Sequence, residues 1–280
     1  MIRDPRKGLE RIFRRMCDFE AAGTRSGVPT GSRREGDQFE VLVRQSWQAL
    51  AGTLQSSGAT AETVRVGRRH FAALRRDGRV LYLPVLEKPD SPPIPSSKSE
   101  WFDAVYDTTS LVNAYPGTDV VTNRLAPAAE DAPRYAGTSY PRIYAGLRTS
   151  FDDTIVLEED GVLVEKVLLE YKTGKSTRGE HIDGNAHERL SFQVFQYLEA
   201  AVRYPRCSFT VICNSAFVRY HNKYHVNFHI QAARLACFSW FSMRYLTTRE
   251  QYRAFCEQLE RFVIDGVPLA YWPAASHRGL

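Results

Sequence analysis

The chain lacks the features that mark membrane-spanning, secreted and zinc-stapled proteins. It contains no stretch of about 18 or more apolar residues, so we expect no membrane-spanning helix and no membrane partner. Residues 1–7 have no apolar segment behind them and do not form a secretory signal, which predicts a cytoplasmic protein. The cysteines are odd in number and form no Cys-x-x-Cys pair, which disfavours a disulfide framework and a four-cysteine zinc site. They are Cys17, Cys207, Cys213, Cys237 and Cys256.

A strong excess of one charge is also absent. The 280 residues include 37 Lys and Arg and 32 Asp and Glu, so the formal net charge is only +5. This value agrees with a polyanionic partner but does not identify one, because net charge reports non-specific attraction rather than a particular ligand. With 43% hydrophobic and 12% aromatic residues, the chain has the composition of a folded globular protein.

Charged residues interrupt two apolar segments that read as paired strands. Segment 151–157 carries Asp153, and segment 167–175 carries Glu170 and Lys172. Residues 158–161 between them, Glu-Glu-Asp-Gly, predict a hairpin turn. Side chains two apart on a strand share a face, so Glu170 and Lys172 project together and we expect Asp153 to meet them. Two carboxylates and an ammonium in one place suit a divalent metal and the water it activates.

Three sequence patterns around these strands share the order of a known family. They are Leu169-Glu170-Tyr171-Lys172-Thr173-Gly174, Gln193-x-x-x-Tyr197 and, upstream, Gly36-x-x-x-Glu40. Together they resemble the PD-(D/E)XK nuclease superfamily, and the first two resemble its RecB-like branch. The literal Pro-Asp is absent, and the first acid lies in Ser150-Phe151-Asp152-Asp153. Asp153 is favoured over Asp152 because Thr154-Ile155 follows it, similar to the Asp-x-Ile spacing of that branch; Gln196 is the rival of Gln193.

The resemblance implies an α/β fold with a restriction-endonuclease-like core, in which helices flank a central mixed β-sheet. It implies that Asp153 and Glu170, with Glu40, hold one or two Mg²⁺ ions, for which Mn²⁺ is expected to substitute. Lys172 would orient or deprotonate the attacking water and stabilise the pentavalent phosphate. Gln193 would position the metal-bound water or the phosphate.

The activity implied by the resemblance is Mg²⁺-dependent hydrolysis of double-stranded DNA, first of all by a sequence-specific type II restriction endonuclease. A palindromic target would imply a two-fold homodimer. The alternatives are a RecB-like exonuclease or recombination nuclease, and a non-catalytic DNA-binding protein. A nucleotide cofactor is not expected, because Gly174-Lys175-Ser176 has Leu169 where a phosphate-binding loop requires glycine.

We predict a single nuclease domain over residues 1–280 with three parts. The catalytic core spans about 33–215, a loop-rich insertion spans 88–148, and residues 216–280 form a C-terminal part for DNA contact or dimerisation. The amphipathic segment 247–264 predicts a final helix that is either core or a dimer face.

Candidate DNA contacts are basic and amide side chains outside the catalytic strands. Around residues 68–76 a basic cluster is interpreted either as a phosphate contact or as a solvated helix. The histidines His221, His225 and His229 share a face on either a helix or a strand, which leaves zinc, DNA contact and packing open. The candidate DNA contacts are Lys175, Arg178, Arg219, Asn222, Lys223, Arg68 and Arg69.

The first amphipathic segment, 5–22, predicts a helix with apolar residues on one stripe and arginines off it. Arg11, Arg14 and Arg15 would serve as an arm on DNA, as a dimer contact or simply as a solvated face. The sequence alone leaves these three readings open.

Overall fold

The computed structural model describes residues 5–19, 32–102, 106–107, 148–149, 151–173, 197, 206–215, 217 and 242–270. Within them are three long α-helices and one 3₁₀ helix. The α-helices are α1 (Pro5–Cys17), α2 (Ser32–Ser56) and α3 (Arg249–Asp265), and the 3₁₀ helix is Ser96–Trp101.

Nine strands are present in the described ranges. They are β1 (Thr60–Val66), β2 (Arg69–Arg76), β3 (Arg79–Val85), β4 (Tyr106–Asp107), β5 (Arg148–Thr149), β6 (Asp153–Glu159), β7 (Val162–Lys172), β8 (Cys207–Cys213) and β9 (Met243–Leu246). Seven of them form one mixed sheet in the order β1-β2-β3-β6-β7-β8-β9, while β4 pairs only with β5. The first five are antiparallel to their neighbours, and β7, β8 and β9 run parallel. The predicted α/β fold with a central mixed sheet is confirmed.

Two tight turns hold the antiparallel part of the sheet together. Asp77-Gly78 joins β2 to β3, and Asp160-Gly161 joins β6 to β7, with positive φ at both residues of each pair. Such turns match the twist of the strands they join, and Asp-Gly tolerates both positive φ values. Asp160 also donates its backbone N–H to the Gly78 carbonyl at 2.9 Å, so the two turns support each other.

The three α-helices cover one face of the sheet. The apolar stripe of each helix packs in one core with every second residue of the strands. This is the arrangement that a helical period of 3.6 and a strand period of two require. This larger core includes Phe13, Phe39, Trp47, Leu50, Leu81, Ile155, Leu169, Ile212, Phe255 and Leu259.

A smaller core lies on the opposite face, under the 3₁₀ helix. Phe102 packs edge-to-face on Phe71 and Tyr82. Beside these rings the buried Glu158 carboxylate accepts two bonds from Lys98 Nζ, at 2.7 and 2.8 Å, and one from the Tyr82 hydroxyl at 3.1 Å. A buried charge is thus paired rather than left unsatisfied.

The last helix belongs to the core. Its buried residues include Tyr252, Phe255 and Leu259, which pack in the larger core, so the core alternative for this stripe is the correct one. Thr248 caps the helix. Its side chain accepts a hydrogen bond from the Gln251 backbone N–H, and the Gln251 side chain accepts one from the Thr248 backbone N–H.

The basic cluster at residues 68–76 is not a helix. It forms the β1–β2 hairpin, in which Val66 pairs with Arg69 and the turn uses Gly67 at φ 57°. The helical reading is wrong because alternate residues such as Phe71 and Ala73 bury on one face of β2, which is a period of two. None of the described helices is long and apolar enough to cross a membrane.

Candidate active site

The predicted catalytic strands meet at one end of the sheet. Antiparallel pairing places the start of β6 beside the end of β7, where Asp153 pairs with Leu169. The β1–β2 turn lies at the same end, because Arg69 Nη2 donates to the Phe151 carbonyl at 3.2 Å. Asp152, Asp153, Glu170 and Lys172 therefore lie near the same end of the sheet, as the sequence predicts.

A β-bulge in the β6–β7 hairpin separates Asp153 from Glu170. Glu158 pairs with Leu163, but Leu157 pairs with Glu165, so Val164 is an extra residue in β7. One added residue reverses the face of every side chain beyond it relative to the partner strand. Asp153 consequently shares a face with Leu169, and the expectation that it meets Glu170 and Lys172 is wrong in this geometry.

Asp153 instead lies on the helical face, in a buried polar cluster. Its side chain is only 1% exposed, and Oδ2 accepts from Arg44 Nε at 2.8 Å and from the Tyr171 hydroxyl at 3.0 Å. Burial raises the pKa of the Asp153 carboxyl above its ordinary value, and the charge and hydrogen bond of Arg44 oppose that rise. Arg44 thus favours the ionised form of this carboxyl, while the net shift of its pKa is upward.

Glu40 joins this cluster from the same helix. Its Oε2 lies 3.7 Å from Arg44 Nη2, in an i,i+4 ion pair on α2. Arg44 therefore bridges Glu40 and Asp153 on the helical face. The structure brings these two predicted metal ligands to one arginine and does not bring them to Glu170.

Asp152 is the acid that contacts the end of β7 directly. It lies in a bend just before β6, so its hydrogen bond rather than strand alternation gives its position. Its Oδ2 accepts from the Tyr171 backbone N–H at 2.7 Å, which fixes the carboxylate beside the segment that carries Glu170 and Lys172. This hydrogen bond to the residue after Glu170 favours Asp152, the rival that the Asp-x-Ile spacing disfavoured.

Glu170 and Lys172 project together, as their spacing predicts. Lys172 Nζ lies 2.5 Å from Glu170 Oε1, and the two side chains are 17% and 4% exposed. They lie on β7 between β6 and β8, in the interior of the sheet. The ammonium of Lys172 stabilises the nearly buried Glu170 carboxylate. Without a partner, a buried charge would cost several kcal/mol of folding free energy.

Tyr197, the last residue of the Gln-x-x-x-Tyr pattern, lies on the same face. Its ring stacks on Phe209 at a centroid distance of 5.4 Å and an interplanar angle of 17°. Phe209 pairs with Leu168, which shares its face with Glu170 because it is two residues away. The helical residue after the catalytic strands thus covers the face that carries the Glu170–Lys172 pair.

Two predicted DNA contacts are described, and the others lie outside the described residues. Arg68 is exposed in the β1–β2 turn, and Arg69 is half-buried beside Phe151. Both lie at the same end of the sheet as Lys172. Outside the described residues lie Gln193, Lys175, Arg178, Arg219, Asn222, Lys223, His221, His225 and His229.

Sequence reasoning missed Arg44 and Tyr171 as members of the site region. Arg44 is separated from Asp153 by 109 residues, so no local pattern connects them. Tyr171 stands between Glu170 and Lys172, and strand alternation correctly places it on the face opposite to them. Asp153 was expected on the Glu170 face, so a contact between Tyr171 and Asp153 was not expected. Its contact with Asp153 required the shifted register, which the sequence does not reveal.

The described side chains do not bring Asp153, Glu170 and Glu40 together as one metal site. Over the described ranges, no group of three or more His, Cys, Asp or Glu side chains is arranged to hold a metal ion. Asp153, Glu170 and Glu40 are all described, so this predicted ligand set is not assembled. Asp152 and Glu170 remain, and Mg²⁺ is commonly bound by one or two carboxylates together with water and substrate phosphate.

Comparison with protein-family models, with curated proteins and with solved structures finds no match to this chain.

Proposed function

We propose that this protein is a Mg²⁺-dependent deoxyribonuclease, with a sequence-specific type II restriction endonuclease as the first candidate. The single observation that carries the proposal is the Glu170–Lys172 pair, nearly buried at the end of an interior strand beside Asp152. An acid and a lysine in such a place are the groups that phosphodiester hydrolysis uses. The family resemblance of the surrounding residues supports the same chemistry.

In the proposed reaction Asp152 and Glu170 would hold Mg²⁺, and the metal would supply charge neutralisation at the phosphate and the leaving oxygen. Lys172 Nζ donates a hydrogen bond to a non-bridging phosphate oxygen or to the attacking water. Its stem is fixed by the 2.5 Å contact with Glu170, so the ammonium is held in place before DNA binds. Arg68 and Arg69 flank this edge and would contact the backbone.

A RecB-like exonuclease is the second enzymatic candidate. The observation that favours it is Tyr197, which is buried against Phe209 on the Glu170 face, where the Gln-x-x-x-Tyr helix of that branch is expected. A homodimer follows only from the restriction reading, since an enzyme that degrades DNA from its ends needs no two-fold partner.

A non-catalytic DNA-binding protein is the third candidate. It is favoured by the fact that both acid–base pairs are closed: Glu170 contacts Lys172, and Asp153 contacts Arg44. Such pairs serve equally well as structural contacts.

The test is incubation of the purified protein with phage DNA, with Mg²⁺ or with EDTA. Discrete Mg²⁺-dependent fragments support the restriction endonuclease, and end-shortening supports the exonuclease. We expect Lys172→Ala to reduce cleavage at least about 100-fold while DNA binding persists, because it removes a charge aimed at the reacting phosphate. Lys88→Ala, which changes an exposed lysine, is the matched control. Normal cleavage by Lys172→Ala would overturn the proposed site.

A further inference from the structure

Helix α1 exposes a row of cations along one side. Lys7, Arg11, Arg14 and Arg15 are all exposed, and their spacing of four, three and one residues places them within about 100° of arc. The opposite side of the helix buries its apolar stripe in the larger core. Between residues 5 and 19 five cations stand against two acids, a net charge of +3.

The neighbouring acids neutralise this row only in part, since Glu10 attracts Arg14 and Asp18 lies four residues after it. Glu10 forms its ion pair with Arg253, whose Nε and Nη2 lie 2.5 and 2.9 Å from its carboxylate oxygens. Glu260 forms an ion pair with Arg6, whose Nη2 lies 3.8 Å from Glu260 Oε2. No described carboxylate lies at ion-pair distance from Lys7 or Arg11.

The helix dipole explains why cations are favourable at only two of the four positions in the row. Arg14 and Arg15 lie in the last turn, where the helix dipole favours cations. That effect fades within one turn and does not extend to Lys7 and Arg11. Like charges four residues apart repel each other along a helix, so this row is unfavourable without an anionic partner.

The row also has the geometry of a phosphate backbone contact. Four residues of helix rise about 6 Å, close to twice the axial spacing of about 3.4 Å between phosphates along one DNA strand. The apolar stripe of α1 is buried in the core, so the helix has no free apolar side with which to enter a lipid surface.

The end of α1 lies close to the candidate active site. Asn214 donates its side-chain N–H to the Phe19 carbonyl at 2.8 Å, just after the helix. Its backbone N–H donates to the Lys172 carbonyl at 3.4 Å. One residue therefore connects the end of α1 to the end of β7, and Arg14 and Arg15 are the members of the row nearest to that end.

We propose that the exposed side of α1, formed by Lys7, Arg11, Arg14 and Arg15, binds the phosphate backbone of duplex DNA. This contact is independent of base sequence, because phosphate contacts fix position without reading bases. The identity of the polyanion rests on the proposed function. The binding surface itself is distinct from the catalytic strands and from the β1–β2 turn.

The test measures duplex binding by the full chain in EDTA over a range of salt concentrations, which separates binding from cleavage. Each phosphate contact contributes a slope of about 0.9 to the fall of log affinity with log salt. Arg11→Gln/Arg15→Gln should lower this slope by about 2 relative to the unsubstituted protein. The control Arg206→Gln/Arg261→Gln removes two exposed arginines near the opposite end of the sheet and should leave the slope unchanged.

Equal slopes for the two variants would overturn the inference. If the unsubstituted protein cleaves DNA and the slopes are equal, the nuclease proposal stands and only the α1 contact is lost. If the protein neither binds nor cleaves duplex DNA, both fail together. Binding to vesicles of anionic lipid in the absence of duplex binding would also overturn the inference, in favour of a membrane surface.

Discussion

Replacing Arg44 with methionine should destabilise the fold by leaving the Asp153 carboxylate buried without its cation. Asp153 is 1% exposed and accepts from Arg44 Nε at 2.8 Å. Removing one partner of a buried pair costs about 3–5 kcal/mol. Arg44 is 27% exposed and the Tyr171 hydroxyl still donates at 3.0 Å, so we expect a smaller loss of about 2–3 kcal/mol in the free energy of unfolding.

The loss should depend on pH in a defined direction. Burial raises the pKa of Asp153 above its unfolded value, and removing Arg44 raises it further. Between the unfolded and folded pKa values the folded state binds more protons, so stability falls as pH rises through that interval. The deficit of Arg44→Met should therefore be small in acid and reach its full size toward neutral pH.

Urea denaturation at about pH 4.5 and about pH 7.5 measures this effect. Gln48→Met, an exposed change on the same helix, is the matched control and should stay within about 0.5 kcal/mol of the unsubstituted protein. Adding Asp153→Asn to Arg44→Met should recover part of the loss, because the uncompensated charge is removed. Full stability of Arg44→Met at neutral pH, or an equal deficit at both pH values, would refute the reasoning.

Two further predictions concern stability away from the candidate site, each read by urea denaturation. Lys98→Met should cost about 2–3 kcal/mol, because both oxygens of Glu158, whose side chain is 4% exposed, lose their cation; Lys88→Met is the exposed control, and an equal effect of both changes would contradict the prediction. Thr248→Ala should cost about 1 kcal/mol, because it removes the cap that accepts from Gln251 N, and a loss below about 0.3 kcal/mol would count against that cap.

The long periodic elements were predictable from the sequence. The helix predicted over 247–264 is α3 at Arg249–Asp265, and the helix predicted within 5–22 is α1 at Pro5–Cys17. These segments succeed because their burial patterns repeat over many residues. The hairpin turn predicted at 158–161 is also confirmed, because Asp160 and Gly161 join β6 to β7.

Strand β2 was missed although a local signal existed. Arginines at both ends of β2 drew attention to charge, and the apolar centre of the strand was read at the wrong period. Asp77-Gly78, which joins β2 to β3, is a strong short-range hairpin signal and would have identified both strands.

The face of Asp153 could not be predicted from the sequence. Counting from the turn without a bulge pairs Asp153 with Leu168 and places it on the Glu170 face. The extra residue Val164 shifts the pairing to Leu169 and reverses that face. A bulge depends on packing of the whole sheet, and the arginine that meets Asp153 comes from a helix 109 residues earlier.

In the proposed reaction Asp152, rather than Asp153, shares the metal site with Glu170. The most direct test is the Mg²⁺ dependence of DNA cleavage for the unsubstituted protein, Asp152→Asn and Asp153→Asn. We predict that Asp152→Asn raises the Mg²⁺ concentration for half-maximal rate at least about 10-fold, while Asp153→Asn stays within about twofold and loses stability instead. The reverse order, with the Mg²⁺ requirement raised only in Asp153→Asn, would contradict the assignment and return the metal to the helical face.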